Sequence, residues 1–84
     1  MTLFAKKTEE ALVVAFDSTA SALVFQSRAG DFDLEGRLVP VPRSLSSGCG
    51  MAWRDNLDAR PHVEELLADE SIDDARIVVM DPRP

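Results

Sequence analysis

Ala11-Leu12-Val13-Val14-Ala15-Phe16-Asp17-Ser18-Thr19 is the point from which the rest of the chain can be ordered. Six apolar residues without a polar break, rich in β-formers, suit a central strand covered by helices on at least one face. Asp17-Ser18-Thr19 follows directly, with side-chain oxygens able to cap a helix. Beyond it Ala22, Phe25 and Ala29 recur at i, i+3 and i+7. That spacing predicts a helix from Thr19 to about Asp31, ending at Gly30 and Asp31.

Further along, Leu34 to Val41 reads as a second strand. Pro40 and Pro42 remove ladder donors, which places it at an edge of the sheet. Met51 to Arg54 is a short third strand. Asp55 to Asp58 is polar and opens a second helix, with Pro61 in its first turn, where the missing N–H is no loss. Val63, Leu66 and Leu67 form its apolar stripe, Glu64 and Glu65 face water, and the helix ends near Glu70. Ala75 to Met80 is the fourth strand, stopped by Asp81-Pro82. The order is β-α-β-β-α-β. Two right-handed βαβ units joined in this way make an α+β, ferredoxin-like sandwich. Its four-stranded antiparallel sheet has the order 4-1-3-2, with both helices on one face. Residues 1–84 form a single domain, with 1–9 as an N-terminal arm and 81–84 as a C-terminal tail.

The totals narrow the function. Fifteen acids against nine bases give a net charge of −6. That disfavours nucleic acid and anionic membrane surfaces, both of which call for a basic face. No apolar run is long enough to span a bilayer, and no signal peptide is evident. A single cysteine cannot form an internal disulfide, which points to a cytoplasmic location. One Cys and one His cannot complete a zinc site, so no metal and no cofactor is expected.

Chemistry concentrates in Pro40-Val41-Pro42-Arg43-Ser44-Leu45-Ser46-Ser47-Gly48-Cys49-Gly50-Met51-Ala52. The first and second strands run in the same direction, so the loop carrying Cys49 leaves the sheet at the rim where the first helix starts. A thiol attacks as its thiolate. A helix N-terminus at Ser18-Thr19 and backbone N–H groups in a glycine turn both favour an anion. Gly48 and Gly50 permit such a turn and leave the sulfur uncrowded. Arg43 and Arg54 add positive charge, and Asp17 opposes it. A lone cysteine is also commonly a buried small hydrophobe, and Ser46-Ser47-Gly48 is ordinary turn chemistry. His62 reads as a solvated histidine and Trp53 as a core or interface anchor.

The residues Phe16-Asp17-Ser18-Thr19, Ala22-Leu23, Leu38-Val39-Pro40-Val41-Pro42-Arg43 and Leu45-Ser46-Ser47-Gly48-Cys49-Gly50-Met51-Ala52 resemble a bacterial family of small domains of unknown function described as selenium/sulfur carrier protein-like. The resemblance covers most of Val13 to Met80. It implies that Cys49 is the carrier atom, accepting sulfur or selenium as a persulfide or perselenide from a donor protein and passing it to an acceptor. Ser18, Thr19, Arg43, Ser46, Ser47, Gly48 and Gly50 would support the anion. The chain would then be a carrier rather than a stand-alone enzyme. The alternative is a non-catalytic interaction or small-anion-binding module, in which Cys49 is a bystander. The exposed edge strand also allows a homodimer.

Overall fold

The computed structural model describes residues 10–45 and 47–81. Strand β1 (Ala11–Phe16) leads into helix α1 (Thr19–Arg28). Strands β2 (Arg37–Pro40) and β3 (Met51–Asp55) follow, then helix α2 (Arg60–Asp69) and strand β4 (Ala75–Met80). The sheet order is β2-β3-β1-β4, all neighbours antiparallel, which is the expected ferredoxin-like order read from the other edge. The expected N-terminal arm and residues 82–84 of the tail lie outside the described residues.

All six β1 side chains are buried. Leu12, Val14 and Phe16 face the helices and meet Ala22 and Phe25 of α1, Trp53 of β3, and Val63 and Leu66 of α2. The aromatic rings are the centre of this layer. Phe25 stands 5.3 Å from Phe16 and 5.2 Å, edge-on, from Trp53. Such tilted contacts add roughly 0.5–1.5 kcal/mol each beyond burial.

Several elements differ in extent from the sequence reading. α1 stops as an α-helix at Arg28 and tightens into a 3-10 turn over Ala29–Phe32. Asp33 then takes a left-handed φ of 60°, and Leu34 N–H returns to the Ala29 carbonyl at 3.1 Å. Leu34 is therefore a buried plug under the turn, and β2 begins only at Arg37. β3 runs one residue longer than expected, because Asp55 pairs with Leu12. The polar segment after it forms a separate 3-10 turn over Leu57–Ala59 before α2. Arg28 links the two helices: it pairs with Asp31, Asp69 and Glu70 and lies 5.5 Å over the Phe32 ring. Its guanidinium is shifted above its ordinary value, first by the hydrogen bond to Asp31 and then by the charges of Glu70 and Asp69.

Candidate functional site

The loop between β2 and β3 leaves the sheet beside the junction of β1 and α1. Gly48 marks the contact. A Cβ built on it would lie 2.2 Å from the Asp17 carbonyl oxygen, so only glycine fits there. Gly50 is needed for a different reason. Space around it is open, but its φ is +74°, a conformation that costs an L-residue roughly 1 kcal/mol or more. The two glycines around Cys49 thus answer separate demands, one of close approach and one of backbone shape.

Between them the loop is held by its own groups. Val41 N–H donates to the Gly50 carbonyl at 3.0 Å, and Leu45 N–H donates to the Pro42 carbonyl at 2.9 Å. Ser47 Oγ accepts from Gly50 N–H at 3.1 Å and donates to the Met51 carbonyl at 3.4 Å. Cys49 Sγ donates to that same carbonyl at 3.5 Å. Cys49 is half-buried, with part of its side chain against the core cluster. The thiol is therefore neither sealed among aliphatic groups nor fully exposed. The N–H groups of Gly48 and Cys49 have no acceptor among the described residues, which leaves two donors in the turn.

The α1 N-terminus is occupied by other groups. Ser18 is its N-cap and accepts from Ser21 N–H at 3.2 Å. The Ser18 hydroxyl lies 2.9 Å from Asp74 Oδ2 and 3.0 Å from Ser21 Oγ. A hydroxyl has one proton, and the carboxylate is the stronger acceptor. Hydrogen bonds from Ser21 and Ser18 hold the Asp74 carboxyl below the usual carboxylate range, against a smaller opposing effect of burial. Asp74 Oδ1 is buried and has no partner among the described residues. The main chain ties the cluster to the sheet, since Asp17 N–H donates to the Asp74 carbonyl at 3.0 Å. Asp74 lies just before β4, in a short polar stretch that carries no local sign of this role. The signal for its role is long-range, because fifty-six residues separate it from Ser18.

The structure therefore brings Ser47, Gly48, Cys49 and Gly50 together in one turn beside Asp17. Thr19 is exposed at the start of α1 and Arg43 is exposed on the Pro42–Leu45 turn. No hydrogen bond joins Cys49 to Ser18, Thr19 or Arg43 among the described residues. Ser46 lies outside them. No group of three or more His, Cys, Asp or Glu able to hold a metal occurs among the described residues. No helix among them is long and apolar enough to cross a membrane.

The opposite end of the sheet holds a cluster that sequence reading missed. Asp55, expected in a polar helix start, is a buried hub. It accepts from Trp53 Nε1 at 3.0 Å, Gly36 N–H at 3.2 Å and Asn56 N–H at 2.8 Å. Trp53 and Asp55 alternate along β3, so both point to the helix face, a spacing visible in the sequence.

Compared with known proteins, residues 11–79 match the family described as "Putative Se/S carrier protein-like". No curated protein and no solved structure matches the chain.

Proposed function

This chain belongs to the Se/S carrier protein-like family, and on that premise we propose that it carries one sulfur or selenium atom on Cys49. The supporting observation is the turn itself. Its lone thiol is half-buried at a sheet rim, and the glycines on either side are demanded by contact with Asp17 and by a positive φ.

The Cys49 thiolate attacks the terminal sulfur of a persulfide on a donor protein. The donor's S–S bond breaks, its cysteine leaves as a thiolate, and Cys49 holds the transferred sulfur as a new persulfide. The numbers of disulfide-type bonds made and broken are equal, so no external oxidant is required. Selenium passes by the same exchange. An acceptor thiolate then attacks the terminal atom and releases Cys49. In this reading the N–H groups of Gly48 and Cys49 stabilise the anion before and after transfer. Ser47 fixes the turn, Ser46 supplies a further hydroxyl, and the α1 N-terminus at Ser18 and Thr19 together with Arg43 contributes positive potential at the rim. Donor and acceptor proteins are the partners, acting in the cytoplasm.

The test is transfer of radiolabelled sulfur from a persulfide-loaded cysteine desulfurase. Wild type should take up label that dithiothreitol removes, and chain alkylated at Cys49 with iodoacetamide should take up none. Equal labelling of the two would reject the reading.

The packing of Cys49 against the core favours a second reading, an interaction or small-anion-binding module with a structural cysteine. Alkylation separates the two, because binding of an anion or partner would then survive modification of the sulfur.

A further inference from the structure

The two edges of the sheet are not equivalent. Asp17 N–H donates to the Asp74 carbonyl at 3.0 Å, and Val41 N–H to the Gly50 carbonyl at 3.0 Å. Each pair is directly opposed when the register of its strands is carried on by one position. Bonded and non-bonded pairs alternate along an antiparallel ladder, so residues between bonded pairs turn N–H and C=O the other way. On β2 the outward residues are Leu38 and Pro40, and the proline has no N–H to offer there. On β4 they are Ala75, Ile77 and Val79.

β4 lacks what usually blunts an edge. Its register with β1 is unbroken, without a bulge, and it contains neither proline nor lysine. No described strand pairs with its outer side. Val79 is 44% exposed, the one strand residue among the exposed large hydrophobics of the described residues. Arg76 is the single charged residue of the strand. α1 lies against β2 and β3, so α2 sits on the β4 side, and its Arg60 is paired with Glu64 at 3.2 Å.

We propose that β4 pairs with β4 of a second copy of this chain, antiparallel about a two-fold axis at Ile77, so that two sheets join edge to edge. The outward residues are symmetric about Ile77. Ala75 meets Val79 of the second copy, Ile77 meets Ile77, and each such pair exchanges both of its N–H···O bonds. The exposed Val79 gains a small neighbour opposite and Ile77 on the diagonal, on the helix side of the sheet. Arg76 falls opposite Val78, so no like charges oppose each other within the strands. Beyond the strand ends Asp73 approaches Asp81 of the second copy, and each copy carries a net charge of −6, so added salt should favour the dimer. The loop with Cys49 joins β2 and β3, towards the other edge, and stays uncovered in both copies.

The test is sedimentation velocity of the full chain over a concentration series from micromolar to millimolar, with amide hydrogen exchange at the lowest and highest concentrations. Wild type should pass from monomer to dimer, more readily as sodium chloride is raised. Val79→Lys puts a lysine at each end of the interface and should dimerise about tenfold more weakly or worse. Its side chain is exposed, so the fold should stand, checked by its Tm. Val24→Lys, the same change on an exposed face of α1, should dimerise as wild type. In wild type the Ile77 and Val79 amides should exchange more slowly when concentrated, and the Leu38 amide, on the outward side of β2, should not change. Three results would overturn the proposal: a monomer throughout the series, equal dimerisation of Val79→Lys, or protection on concentration at Leu38 in place of Ile77 and Val79.

Discussion

The two ends of the sheet are built on opposite plans. At the Gly36 end a buried carboxylate, Asp55, has three donors, and Trp53 locks it to the core. At the Cys49 end the polar groups are half-buried and incompletely matched: Asp74 keeps one oxygen without a partner among the described residues, and the sulfur shares a single carbonyl with Ser47. A fully satisfied buried polar cluster specifies one arrangement, whereas a partly satisfied rim can accept a further group. The closed end anchors the sheet, and the open end is the one to which the proposed carrier role is assigned.

The sharpest way to break this contrast is Gly36→Ala. Its Cβ would fall 2.0 Å from the Arg54 carbonyl oxygen and 2.8 Å from Trp53 Nε1, so the anchor must open. A loss of about 3 kcal/mol in urea unfolding is expected, the upper range for overpacking. Gly48→Ala should cost less, about 2 kcal/mol, because the loop can lift away from Asp17 where the strands cannot. It should also reduce labelling of Cys49, since the loop leaves its seat. Gly50→Ala meets no clash and should cost only about 1 kcal/mol through its φ, read by the same denaturation.

The smallest effects belong to the Ser18–Asp74 cluster and sharpen the comparison through pH. Ser18→Ala removes an N-cap and should cost about 1 kcal/mol at neutral pH. Because the folded pKa of Asp74 is depressed, its contribution is present above the unfolded carboxylate value of about 4 and is lost as pH falls through the folded value. The stability difference between wild type and Asp74→Asn should accordingly shrink in acid below about pH 4, followed by thermal melts across that range. A difference that stayed constant through that range would remove Asp74 from the account.

Much of this frame was legible in the chain itself. The apolar run at Ala11–Phe16, the i, i+3, i+7 spacing of Ala22, Phe25 and Ala29, and the prolines after Leu38 are local signals, and each element they indicated is present with strand β2 at an edge. The glycines around Cys49 were legible as a turn, but their separate causes were not. Gly48 depends on a carbonyl thirty-one positions earlier, which periodicity cannot reveal. Asp55 was misread, and Asp74 gave no signal, for the same reason. A carboxylate's role rests on donors brought by the fold, and as local sequence both are ordinary turn formers.

Intact-mass spectrometry after incubation with a persulfide-loaded donor tests the carrier assignment most directly. Wild type should gain the mass of one sulfur atom, reversed by dithiothreitol, while Cys49→Ser, folded by circular dichroism, gains nothing. An identical gain in both proteins, or none in wild type under conditions that load an established sulfur acceptor, would contradict it.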